Sequence, residues 1–205
     1  MPCKHRFQED LYPEQELKHL FIGTFNPEWN NLKGNNANWF YGRHTNSFWN
    51  IMPSVFGHPN MNTAKHRQNP NIWKQYCIEN GIGLTDIIES INDADQELHF
   101  NEIISFLDDK LEKFQKVQLT DIPRIIRANS KSLCGVYLTR YAHGLIPNGI
   151  FFNRWTEIQN LCNELGIYHS SLVTPSNGYM MPVQEKIRHW QKDIKSCTKN
   201  LFDKR

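Results

Sequence analysis

Three short apolar runs do most to limit what this chain can fold into: residues 20–25, 132–138 and 167–173, with helical stretches between them. Runs of this length, closed by turn residues, suit strands buried on both faces. The first stops at Asn26-Pro27 and the third is broken by Pro175. Strands that alternate with helices require parallel crossovers. The predicted fold is therefore α/β: a three-layer α/β/α sandwich with a mostly parallel central sheet. In such sheets a ligand sits outside the carboxyl ends of the strands. Those ends are Asn26-Pro27 and Thr174-Pro175-Ser176, where the polar loops gather.

Between the strands, residues 28–45 form a loop whose Asn and Gly residues tolerate left-handed and turn geometry. Thr45 or Asn46 is placed to cap a helix bearing Phe48, Trp49, Met52 and Val55. A second Asn-, His- and Pro-rich loop covers 57–70, and a helix over 72–79 stops at Asn80-Gly81. Residues 82–88 form a short extended or turn segment. Helical patterns follow at about 101–114, 120–128 and 153–165, and Pro182 suits the first residue of a last helix to about Ser196. At 205 residues the chain is predicted to be one domain, 1–205.

Composition excludes several classes. Aromatics at 12% are too many for a disordered chain, and no apolar run approaches the ~20 residues of a membrane span. Residues 1–6 are charged with no apolar stretch behind them, so no secretory signal is expected, and the chain is expected to be cytoplasmic. The five cysteines are scattered and none forms a C-x-x-C pair, which points neither to zinc nor to a disulfide framework. Cys134 is expected as a small core residue in its strand. A net charge of +2 permits nucleic acid without arguing for it.

Four segments, in order, resemble the uracil-DNA glycosylase superfamily, nearest its mismatch-specific uracil and hypoxanthine branches. Phe21-Ile22-Gly23-Thr24-Phe25-Asn26-Pro27 resembles the first motif, a strand ending Gly-Ile-Asn-Pro-Gly. Phe40-Tyr41-Gly42-Arg43-His44-Thr45-Asn46-Ser47-Phe48-Trp49 resembles the family's aromatic followed by Asn-x-Phe-Trp. Gly81-Ile82-Gly83-Leu84-Thr85-Asp86 is similar to its Gly-Ile-Gly-Leu-x-Asp segment, and Thr174-Pro175-Ser176-Asn177 lies where His-Pro-Ser or Asn-Pro-Ser is usual. Thr24 and Glu28 stand where the first motif has Gly, and Thr174 where the second has His or Asn.

The resemblance implies a monofunctional DNA glycosylase acting as a monomer on DNA with a damaged or mismatched base. Uracil is the first expected base and hypoxanthine the second, with no metal or diffusible cofactor. No lysine lies in the matched motifs to form a Schiff base. Such a reaction passes through an oxocarbenium-like sugar and a departing base anion, so an amide that holds water, plus donors to the base carbonyls, can suffice. Asn26 is the first candidate for the water, with Asn46 its rival; otherwise Asn26 ends a strand and Asn46 caps a helix. Thr24, Phe25, Tyr41 and Thr174 are candidates for base binding, with Tyr41 preferred over Phe40 as the stacking face. Asp86 is an alternative acid or base, or an Asp bonding amides at the next helix start. Arg43, Ser176, Asn177, Gly178, Tyr179 and Met180 are candidates for DNA contact, the last two or Met181 as a wedge. Lys65, Arg67 and Arg140 are further possible backbone contacts. Two other classes stay open: a DNA-binding relative without catalysis, and a hydrolase of free nucleosides or nucleotides.

Overall fold

The computed structural model describes residues 2–7, 16–29, 37–105, 107–177 and 180–194. In chain order these form strands β1 (Cys3–Lys4) and β2 (His19–Gly23), helices α1 (Phe48–Val55), α2 (Ala64–Gln68) and α3 (Asn71–Asn80), and strands β3 (Ile82–Asp86) and β4 (Ile88–Ile91). Helices α4 (Gln96–Ile103) and α5 (Asp108–Leu111), strand β5 (Val117–Leu119), helix α6 (Ile122–Ala128) and strand β6 (Gly135–Leu138) follow. Helix α7 (Ile150–Glu164), strand β7 (Tyr168–Ser171) and helix α8 (Val183–Asp193) complete the order.

β3, β2, β6 and β7 lie side by side in that order, and every neighbouring pair is parallel. Because side chains alternate along a strand, each strand feeds both layers. Leu20, Ile22, Val136 and Leu138 join Ile125 of α6 and Phe151 and Trp155 of α7 in one core. Phe21 and Tyr137 join Phe48 and Trp49 of α1, Trp73 of α3 and Trp190 of α8 in the other. The fold is thus the expected α/β/α sandwich.

Several boundaries differ from expectation. β2 ends at Gly23, so Thr24 and Phe25 already belong to the loop. Residues 82–88 hold β3 and the start of β4. β4 leaves the parallel sheet and pairs antiparallel with β1 and β5. β1 and β5 have two and three residues, too short to show any alternation in sequence. The pattern over 101–114 divides into α4 and α5. α4 starts earlier because Asp95 caps it, accepting from the Glu97 and Leu98 amides. Pro182 is the residue before α8 rather than its first. Cys134 precedes β6, is half-buried and is disulfide-bonded, where a small core residue within the strand and no disulfide framework were expected. Among the described residues no helix is long and apolar enough to cross a membrane.

Candidate functional site

The chain leaves β2 toward β3 on one side, and β6 flanks it on the other. The sheet's order of connection therefore reverses at the carboxyl end of β2, the place where such sheets bind ligands. A cleft of about 460 Å³ opens there, within the range of small-molecule sites. Thr24, Phe25, Asn26, Tyr41, Arg43, Asn46, Thr174 and Ser176 all line it. Phe40, the other candidate stacking face, is fully buried in the core.

Asn26 faces Asp86 at the end of the neighbouring strand. Its Nδ2 donates to Asp86 Oδ2 at 2.5 Å, and His5 Nε2 lies 2.8 Å from the same oxygen. Asp86 therefore does not cap a helix, as one reading of the sequence had it. β4 follows it instead, and its carboxylate, 1% exposed and held between His5 and Asn26, forms part of the cleft lining. Gly23 makes room for this: a Cβ there would collide with Asp86 Oδ1 and sit 2.8 Å from the Tyr41 hydroxyl.

Tyr41 has a left-handed backbone, φ 56°, which costs a non-glycine residue on the order of 1 kcal/mol or more. Its surroundings hold it there. The ring stacks on Phe48 at 4.1 Å and 11°, and Phe48 packs edge-on against Phe21 and Trp190. Thr139 Oγ1 donates to Ile22 O, so the Tyr41 hydroxyl, 3.1 Å away, is the donor to Thr139. Burial, and then the nearby Asp86 charge, raise the Tyr41 phenol well above its ordinary pKa, so it stays protonated. Arg43 is pushed down to about 10 by burial while Asp86 opposes the shift, which leaves it a cation at neutral pH.

The two loops that carry the remaining candidates are tied together. Residues 45–47 and 175–177 pair through Ser47 N to Pro175 O and Asn177 N to Thr45 O, at 2.8 and 3.0 Å. Ser47 Oγ adds a bond to Asn177 Oδ1 at 2.7 Å. Asn46 Oδ1 accepts from the Phe48 amide at 2.9 Å, an Asx turn just ahead of α1, whose N-cap position is Ser47 rather than the expected Thr45 or Asn46. Thr174 Oγ1 accepts from Ser176 N, which leaves its O–H to donate. Lys186 of α8, only 1% exposed, donates from Nζ to Ser176 O at 2.6 Å. Asn177 is exposed and Met180 wholly so, and neither is among the residues that line the cleft. Gly178 and Tyr179 lie outside the described residues.

The sequence reading missed the far wall: Leu107, Asp108, Thr139, Tyr141 and His143, alongside Arg140. Thr139 and its neighbours follow β6 directly, so the strand-end rule applied there would have found them. Arg140 is ion-paired with Asp108, and Arg67 bonds Asn62, so neither extends freely as a backbone contact. Lys65 is exposed. Among the described residues no group of three or more His, Cys, Asp or Glu is arranged to hold a metal.

A parallel sheet between two helical layers, with a polar cleft at the carboxyl ends of its strands, defines the class. Within it the chain resembles the solution NMR structure of a protein from Methanosarcina acetivorans put forward as a uracil DNA glycosylase. The TM-score is 0.54 at 13% identity, over 87% of this chain and 89% of that one. At that identity the likeness establishes a shared fold. No protein-family model matches the sequence, and no curated protein matches it.

Proposed function

We propose that this chain is a monofunctional DNA glycosylase that hydrolyses the N-glycosidic bond of a deaminated base, uracil first and hypoxanthine second. One observation carries the reading. Asn26 gives its amide N–H to Asp86 and so keeps its carbonyl oxygen for the cleft, at the carboxyl ends of parallel strands. That oxygen can hold a water against the sugar. Asn46 is already an acceptor for Phe48 N–H, so its NH₂ suits a base carbonyl better than a water proton. The two amides thus divide the work, and Asn26 takes the water.

In the reaction the bond from C1′ to the base nitrogen breaks and its electron pair leaves with the base. The water oxygen bonds C1′, and its proton goes to the departing base or to solvent. Fixed donors aimed at the base carbonyls lower the barrier by preorganisation. Asn46 and the Thr174 hydroxyl can supply them, together with Thr24 and Phe25 of the same cleft lining. Tyr41 offers a ring already held rigid, to which an extruded base can stack. Arg43, Ser176 and Asn177 suit phosphate contacts, and the exposed Met180 suits a wedge into the vacated step. Among the described residues no lysine lines the cleft, which supports attack by water over a Schiff base. We read the chain as one domain, acting as a monomer inside the cell on DNA.

The test is base release from oligonucleotides carrying uracil, hypoxanthine, xanthine or mismatched thymine, single- and double-stranded. Asn26→Ala is expected to lower release by about a hundredfold or more, with the melting temperature nearly unchanged. Full activity in that variant would sink the assignment. Tight binding to abasic DNA with no release points instead to a relative without catalysis. Cleavage of free nucleosides, with little salt-sensitive DNA affinity, points to a small-substrate hydrolase.

A further inference from the structure

His5 lies outside every segment that resembles a known motif, yet its side chain is fully buried against Asp86. It sits just past β1, bridged to Pro27, with its own N–H bonded to Glu89 O at 2.8 Å. Its ring meets Phe7, Phe25 and Phe40 at centroid distances of 6.1, 6.1 and 5.4 Å. The ring's two nitrogens have fixed roles. The Phe7 amide donates to Nδ1 at 3.0 Å, so Nδ1 carries no proton. Nε2 must then carry it and donate to Asp86 Oδ2 at 2.8 Å. The same carboxylate oxygen accepts from Asn26 at 2.5 Å, and the other oxygen occupies space that Gly23 leaves open, since a Cβ there would collide with Asp86 Oδ1.

We propose that His5 is a positioning residue for the cleft: acting through Asp86, it fixes which end of the Asn26 side-chain amide faces the bound ligand. An asparagine amide can turn over unless one end is anchored. Asp86 is the anchor, and its own rotamer is held by the His5 N–H. Without that donor the carboxylate can swing, and Asn26 loses the contact that keeps its oxygen in the cleft. The role in water placement rests on the glycosylase reading; the orientation of Asn26 does not.

The test therefore has two readouts. In ¹⁵N-labelled protein the Asn26 side-chain NH₂ signals are identified by their loss in Asn26→Ala. They are expected to exchange with water at least about tenfold faster in His5→Phe, which keeps ring volume and removes the donor. His5→Gln, whose Nε2 reaches the same place as the ring Nε2, is expected to restore slow exchange. Should His5→Phe fail to fold, His5→Asn, too short to reach Asp86, replaces it. Unchanged Asn26 exchange in either variant overturns the proposal, whatever the reaction. On the oligonucleotide that wild-type protein cleaves, kcat is expected to fall roughly ten- to hundredfold in His5→Phe, with KM little changed and most of the rate recovered in His5→Gln. A wild-type kcat in His5→Phe overturns the positioning role and leaves the glycosylase reading standing. No base release by wild type from any oligonucleotide removes the glycosylase reading, and the exchange rates still decide His5.

Discussion

Gly23 closes β2 where a Cβ would meet both the Asp86 carboxylate and the Tyr41 hydroxyl. Its φ is not the issue; the space is. An alanine methyl group there must displace Asp86, Tyr41 or both, and overpacking of this kind costs roughly 1–3 kcal/mol. Both displaced groups belong to the cleft: Asp86 anchors Asn26, and Tyr41 is already held in a costly backbone conformation. Gly23→Ala is therefore expected to lower the midpoint of urea unfolding and to cut base release by more than that loss of stability explains. Stopped or steady-state assays well below the unfolding transition separate the two effects. A variant that unfolds earlier but keeps wild-type kcat would show that the carboxylate can move without consequence.

The loops across the cleft from Gly23 depend on α8. Lys186 spans from that helix to the Ser176 carbonyl, so one buried ammonium fixes the turn after Pro175. Burial lowers its pKa, the sign that the charge itself is costly where it lies. Lys186→Met keeps the length and apolar stem and removes the bond. The relieved desolvation offsets much of the lost hydrogen bond, so stability is expected to change by only about 1 kcal/mol in either direction. The turn loosens, and KM for oligonucleotide is expected to rise about three- to tenfold with kcat nearly constant; a fall in kcat at unchanged KM would contradict it. This dependence was not visible in the sequence, whereas the helix itself was, because Pro182 is a local signal. The same division holds for the cleft. Asn26 and Thr174 could be picked out because strand ends mark themselves, and Tyr41 and Asn46 because their segment resembles the glycosylase superfamily's aromatic followed by Asn-x-Phe-Trp. The Asn26–Asp86 contact joins residues 60 apart at the ends of two paired strands, and His5–Asp86 joins residues 81 apart from beside a two-residue strand with no periodicity to read. Local chemistry names candidates for a site; only packing says which of them hold one another.

The central strand also makes the whole molecule sensitive to acid. His19 begins β2, 4% exposed, with its ring beside those of Tyr137 and Phe56 at 5.9 and 5.1 Å. Burial first, and the neighbouring Lys18 second, push its pKa down to about 4. The unfolded chain binds a proton at the ordinary histidine value near 6.5, which the folded chain refuses until about pH 4. Between these values the unfolded state holds more protons, so stability must fall as pH falls. The contribution is complete above about pH 6.5 and lost below about pH 4, and the gap corresponds to something on the order of 3 kcal/mol. Burial also lowers His66 and His169, which are less enclosed and so contribute less. His19→Phe keeps an aromatic ring against Tyr137 and Phe56 and removes the titration. Urea unfolding at pH 7.5 and 4.5 is then expected to show wild type losing about 2–3 kcal/mol more than the variant over that interval. The other titrating groups are common to both proteins and cancel in the difference. Equal losses would mean that His19 is protonated in the folded sheet, and that the stack around it opens enough to admit the charge.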